Sequence, residues 1–158
     1  MSDDSLKAEV KTFIEALQNY HSEPKKVKKC LSSHQLTSPE KKIIECWLHF
    51  QDQQFNKILS ILDALSSTYS PLIEAQKYLI LGITLNHKHE FAQAIPLILK
   101  AYTVIRAYSL PKQQVLAIEN LFIAYQHEQD KDGMRYCLDE VNEMSDTFTH
   151  RSLRKKAA

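Results

Sequence analysis

Glycine is almost missing from this chain of 158 residues: only Gly82 and Gly133 occur. Tight β-turns and phosphate-cradling loops need glycine for their left-handed or closely approached backbone. Two isolated glycines cannot build a Gly-rich nucleotide loop, and they argue against a hairpin-rich β fold. Cysteine is also sparse. Cys30, Cys46 and Cys137 are odd in number and far apart, which fits no disulfide framework and no paired-cysteine metal site and points to a reducing, cytoplasmic setting. The polar, acidic start MSDDSLKAEV is unlike a secretory leader. No apolar run approaches the length of a bilayer span, so no membrane is expected among the partners. Net charge is +1, which disfavours nucleic acid as a partner.

That charge is unevenly spread. Lys25, Lys26, Lys28, Lys29, Lys41 and Lys42 form an early basic region. Glu128, Asp130, Asp132, Asp139, Glu140, Glu143 and Asp146 form a late acidic one, followed by Arg151, Arg154, Lys155 and Lys156. Solvated helix faces account for most such runs. The sharper expectation is that the basic tail lies against the acidic eighth helix, within a chain or between copies.

What the chain has in quantity is helical periodicity. Leu6, Val10, Phe13, Ile14 and Leu17 predict a first helix near 3–20, and Val27, Cys30 and Leu31 a shorter second one. Ser38-Pro39 predicts the start of a third, with Ser38 as cap. Ser70-Pro71 and Ser109-Leu110-Pro111 repeat that punctuation, and polar breaks fall at 51–54, 86–90 and 128–133. Pro96 lies inside the sixth helix, which is expected to continue through it. Helix pairs thus recur every 32 to 40 residues or so, the period of a stacked α-hairpin array. The expected fold is all-α, about eight helices, in a single domain over 1–145. Residues 1–36 form a capping hairpin, and 146–158 a basic tail with room for a short capping helix.

Tyr78, Leu81-Gly82, Leu85, Phe91, Ala94, Ile98 and Ala101 resemble the tetratricopeptide repeat. Small residues at Gly82 and Ala94 allow close helix approach, and large ones fill the space beside them. Leu121, Ala124, Tyr125, Leu138 and Val141 match more loosely, with Phe122 and Met134 where the family has small residues; Trp47, Phe55, Leu62 and Leu65 match more faintly. The resemblance implies antiparallel hairpins stacked as a short right-handed superhelix, whose first helices line a concave groove. By position, that groove comprises Gln76, Leu79, Ile83, Asn86, Leu116, Glu119, Ile123 and Gln126, with Ile44 and Leu48 (and Gln51) from the preceding unit. This set is apolar and amide-lined. It lacks the Lys and Arg with which family members clamp a peptide's terminal carboxylate, so it suits an amphipathic helix or an extended apolar segment. Packing between neighbouring repeats is the competing expectation for the same side chains.

The chemistry-bearing residues do not converge. His87-Lys88-His89-Glu90 looks like a ligand cluster but has no evident third or fourth ligand, and His127 falls in the matching turn of the next unit. Cys46 and Cys137 sit at core spacing. Cys30 has no His or acid at a diagnostic spacing. No catalytic residue, metal site or cofactor is expected. The sequence therefore points to a protein–protein interaction module (scaffold, adaptor or chaperone) whose partner is a protein or peptide segment or a second copy. A peptide- or ligand-sensing domain and a small secretion chaperone of the same family are the alternatives.

Overall fold

The computed structural model describes residues 10–65 and 70–157, with side chains as far as Met144. The expected helical residues 3–9 and the rest of the segment before Val10 lie outside this range. Eight helices and no strands are found among the described residues: α1 Lys11–Asn19, α2 Pro24–Cys30, α3 Ser38–Gln51, α4 Phe55–Ala64, α5 Pro71–His87, α6 Phe91–Ala107, α7 Pro111–His127 and α8 Lys131–Ala157. The all-α expectation holds. The tail is different from its expectation: no break falls near 145, and α8 runs unbroken for 27 residues. The basic tail is the last turns of α8 itself, so it cannot fold back on that helix's acidic start.

Helix starts follow the Pro punctuation with one shift. Thr37, not Ser38, caps α3: its hydroxyl accepts from the Glu40 N–H at 3.3 Å, and the Glu40 carboxylate accepts from the Thr37 N–H at 2.8 Å. This reciprocal pair satisfies two amide groups that a helix start otherwise leaves open. Ser70 caps α5 as expected, with Pro71 in the first turn. Leu110 precedes Pro111 without a side-chain cap; it is instead 1% exposed and part of the core. α6 continues through Pro96. Pro96 is exposed, so the carbonyl left without an intrahelical donor faces water rather than the core.

Four connections use one backbone device. Gln53, His89, Ser109 and Gln129 each adopt positive φ, between 54° and 60°. In each, the next N–H reaches back to close the helix end: Gln54 to His49 O (3.1 Å), Glu90 to Leu85 O (2.9 Å), Leu110 to Ile105 O (3.3 Å) and Asp130 to Tyr125 O (2.9 Å). Glycine is the usual occupant of this left-handed position. The chain makes the turn four times without one, at a steric cost on each occasion.

Consecutive helices pack as pairs: α3 with α4, α5 with α6 and α7 with α8, while α6 also packs on α7. The first helices α3, α5 and α7 touch in series, and α1 lies on both α3 and α7. Rings mark the junctions. Phe55, opening α4, packs on His87 at the end of α5 (4.7 Å between centroids), and Phe91, opening α6, stacks on His127 at the end of α7 (4.0 Å, 3° between planes). The two motif histidines are thus ring partners across successive pairs. Among the described residues no group of His, Cys, Asp and Glu could hold a metal ion. The core is one continuous cluster from Phe13 and Leu17 through Trp47, Ile58 and Leu79 to Ile98, Leu121 and Cys137.

Both glycines are in helices at close approaches. A Cβ on Gly82 would lie 2.4 Å from Ile98 Cγ1 and 3.4 Å from the Ala94 carbonyl, which is the α5–α6 approach that the motif predicts. In the next pair the small residue moves to the second helix: a Cβ on Gly133 would lie 2.3 Å from the Tyr125 ring. Gly82→Ala should therefore destabilise by about 1–3 kcal/mol despite alanine's better helix propensity. Combining it with Ile98→Ala, which removes the contacting Cγ1 and Cδ1, should cost less than the sum of the two single changes; additive costs in urea denaturation would refute the close-contact account. Gln129→Gly, at an exposed left-handed position, should stabilise by about 1 kcal/mol in the same assay.

Candidate partner-binding surface

Three polar side chains from three helices meet in the interior. Trp47 on α3 donates its indole N–H to Gln76 Oε1 on α5 at 2.8 Å. Gln76 Nε2 donates to Gln113 Oε1 on α7 at 2.5 Å, and Gln113 Nε2 donates back to Gln76 Oε1 at 2.9 Å. Gln76 is 0% and Gln113 1% exposed. A buried amide with no partner loses about 1–3 kcal/mol; the two amides avoid this by closing a ring with each other. Asn86 makes a second link from α5 to α7, donating to the Asn120 backbone carbonyl at 3.0 Å and to Asn120 Oδ1 at 3.3 Å.

These links change the reading of the expected groove. Gln76, Leu79, Ile83 and Asn86 on α5 and Ile44 on α3 are all buried, at 0%, 0%, 4%, 7% and 1% exposure. They face neighbouring helices and present no open surface, so the groove placed on them is corrected to packing between helices. The physical reason is that a first helix flanked by first helices on both sides spends this face on its neighbours. Leu48 and Leu116 are half-buried against the core, and Gln51 is exposed, donating to the Tyr20 carbonyl at 3.0 Å. Glu119, Ile123 and Gln126 on α7 are exposed.

The exposed group is a register effect. α5 and α7 are both 17 residues long and start at Pro71 and Pro111. Ala75, Gln76, Leu79, Ile83 and Asn86, buried on α5, correspond in order to Val115, Leu116, Glu119, Ile123 and Gln126 on α7. Val115 is 41% and Ile123 43% exposed. Among the described residues no further first helix covers α7 as α7 covers α5.

Two hollows flank this face. One, of about 390 Å³, lies between α1 and α7, with Leu17, Gln18, Tyr20 and His21 on one wall and Lys112, Val115, Leu116 and Glu119 on the other. Its mouth is tied by Lys112 Nζ, which donates to the Gln18 carbonyl at 2.9 Å. The other, of about 360 Å³, lies between α7 and α8 and is lined by Ile118, Phe122, Ile123, Cys137, Leu138 and Val141 with Glu119 as its single charge. Leu138 and Val141 are 54% and 42% exposed. The sequence reading placed both in a repeat core; only the missing neighbour distinguishes their surroundings from those of Ile98 and Ala101, which are fully buried. Val115 was read only as part of the apolar stripe of the seventh helix, and α1 only as part of a capping hairpin; neither was placed at the site. A lone valine carries little signal, and nothing in the periodicity says that α1 docks on α7.

A second titratable cluster joins α6 to α8. Tyr102 donates to Glu140 Oε2 at 2.6 Å, and Arg106 pairs with Glu140 and Glu143, each at 3.5 Å. Burial first, and then the bond to Glu140, hold the Tyr102 hydroxyl well above its usual range. Burial pushes the Cys46 thiol up to about 12, with Glu45 adding to it, and the Cys137 thiol up to about 11, with Glu140 adding to it. Raised thiol pKa values suppress the thiolate on which nucleophilic and metal-binding roles depend.

Comparison with known proteins returns no match: no family model, curated protein or solved structure is significantly similar to this chain.

The amide ring gives a direct test. Gln113→Leu should cost about 1–3 kcal/mol by removing the acceptor of the buried Gln76 amide N–H. Adding Gln76→Leu should cost less than the sum of the two single changes. Strict additivity in a double-mutant cycle would mean that the ring contributes no coupling.

Proposed function

We propose that this chain is a non-catalytic protein-interaction module of tetratricopeptide-like α-hairpins, and that it holds an amphipathic segment of another protein against α7. The observation that carries this reading is the open face of α7. Positions that are closed by a neighbouring helix on α5 are left uncovered on α7, where they present Val115 and Leu116 beside Glu119.

Several features support the hairpin-array part. Two helix pairs start 40 residues apart, at Pro71 and Pro111, with first helices of equal length. The left-handed turn closes α3, α5 and α7 alike, and the Phe–His ring contact occurs at two successive junctions. The close approach at Gly82 occupies the motif position that the resemblance assigns to a small residue.

The surviving site is narrower than the groove expected from sequence. Its walls are α1 and α7, its apolar anchors Tyr20, Val115 and Leu116, and its charges Glu119 and, at the mouth, Lys112, whose ammonium is held by the Gln18 carbonyl. A helix or extended strand with two or three apolar anchors and one cationic side chain fits it: the anchors displace water from Val115 and Leu116, and the cation meets Glu119. No oxyanion donors, nucleophile–base pair or metal ligands are brought together there, so the reading invokes recognition without chemistry.

A photo-crosslinking side chain placed at position 115 should capture a defined partner segment in the native cell. A synthetic peptide of that segment should bind the purified protein by calorimetry. Val115→Glu, at a site exposed enough to leave folding intact, should weaken that binding at least tenfold. Peptide affinity unchanged by Val115→Glu would overturn the α7 site.

A further inference from the structure

We propose that α1 is a resident, exchangeable ligand: it occupies a seat built by α3 and α7, and the same seat accepts, in place of α1, an amphipathic helix of another protein with α1's own spacing of anchors. The inference rests on the reading of this chain as an interaction module. It concerns the surface beneath α1, of which the open cleft is the edge.

The first observation is where α1 lies. Within the row of first helices, α3 touches α5 and α5 touches α7. α1 packs on α3 and then, skipping α5, on α7. It bridges the row rather than extending it. The two ends of the amide network lie against it. Trp47 stacks on Tyr20 at 5.2 Å, and Gln113 shares the cleft with Leu17 and Gln18.

The second observation is how α1 is seated. Phe13, Ala16 and Leu17 are buried at 1%, 3% and 1% exposure, and Tyr20 follows one turn later against Trp47. These are positions i, i+3, i+4 and i+7, the anchor spacing of a helix laid into a groove. α1 has nine residues, no side-chain cap at Val10 and no acidic residue in its first turn. A helix this short is not stable alone in water, so the seat supplies its order.

The third observation is how it is held. The bonds that link α3, α5 and α7 through Trp47, Gln76 and Gln113 are buried. The polar ties of the α1 segment lie at the surface. The Thr12 hydroxyl donates to Gln35 Oε1 at 2.8 Å, Gln51 Nε2 to the Tyr20 carbonyl at 3.0 Å, and Lys112 Nζ to the Gln18 carbonyl at 2.9 Å. Such bonds exchange readily for water, and an element held by them opens before the rest of the fold. The seam is also imperfect. Gln18 Oε1 is buried and accepts no hydrogen bond among the described residues, and the hollow of about 390 Å³ stays open beside this residue. An incoming helix with the same four anchors and an apolar residue at the Gln18 position avoids that unmet acceptor, and so outcompetes α1 for the seat.

The probe is a synthetic peptide of residues 10–22, which contains no tryptophan, so that Trp47 is the one indole in the titration. Two full-chain variants weaken α1 and leave the seat intact. Phe13→Ala with Leu17→Ala removes two anchors, and Glu15→Gly lowers helix propensity at an exposed position. Followed by Trp47 emission, the peptide should bind the Phe13/Leu17 variant at least tenfold more tightly than it binds the wild type. It should bind the Glu15→Gly chain about fivefold more tightly, because the seat is open more often. A peptide carrying Leu17→Glu should bind neither. A native peptide that binds the weakened chains no better than the wild type, or no better than the Leu17→Glu control does, would overturn the exchange. Should the Phe13/Leu17 variant unfold, the Glu15→Gly comparison decides. The segment captured at position 115 separates this inference from the α7 site. If its binding depends on Val115 but is unmoved by Glu15→Gly, the exchange fails and the α7 site stands. If the residue 10–22 peptide binds as expected while Val115→Glu leaves the captured segment's affinity unchanged, the α7 site fails and the exchange stands.

Discussion

The middle of this molecule is arranged around two buried glutamine amides that bond to each other and to one indole. Gln76 and Gln113 are fully buried, and their ring closes only when α5 and α7 sit at one particular height and rotation. Trp47 adds a third donor from α3, extending the same restriction over three helices. Apolar packing tolerates a slide of a few ångströms with modest loss, whereas a displaced amide ring loses all its bonds at once. The ring thus works as a register pin for the series of first helices. The face of α7 inherits its outlook from that register: Val115 and Leu116 are presented beside α1 because Gln113, two and three residues earlier, is held inward.

The near-absence of glycine has a second effect beyond excluding β-turns and nucleotide loops. Left-handed turn positions are occupied by Gln53, His89, Ser109 and Gln129, so each turn stores some backbone strain. What holds them is the pair of reverse hydrogen bonds at each helix end and, at two of the junctions, a Phe–His contact from the following pair. The two glycines the chain does have are spent inside helices, where Gly82 and Gly133 let side chains of a packed partner come within contact of backbone.

Helix number, the Pro starts and the Gly82 approach were all legible because they rest on local chemistry: a 3.6-residue period, a cap, a missing Cβ. The shift of the α3 cap to Thr37 was within reach too, since Thr37 and Glu40 have the spacing of a reciprocal cap. The binding face was less legible. Ile83 and Ile123 occupy matching positions, as do Ile98 and Leu138, and nothing local distinguishes the buried member from the exposed one. The difference lies in whether another helix follows in space, which periodicity does not encode. The buried amides misled for a related reason. An amide at a helix-face position reads as solvent-facing or partner-facing until its mate, 37 residues away, is seen to pair with it. The unbroken course of α8 was hidden by its composition, since a change from acidic to basic residues reads as a boundary although the backbone crosses it without interruption.

Trp47 is the chain's single tryptophan. It is 1% exposed, stacked at 5.2 Å on Tyr20, the residue that follows α1, and bonded through its ring N–H to α5. Its light emission is therefore set by water exclusion, by one hydrogen bond to α5 and by two neighbouring rings, Tyr20 just past α1 and Phe50 on α3. A ligand or partner that moves α1, or any loosening between α3 and α5, alters the colour or yield of the chain's one indole. The molecule carries its own optical gauge at the point where its helices are pinned together.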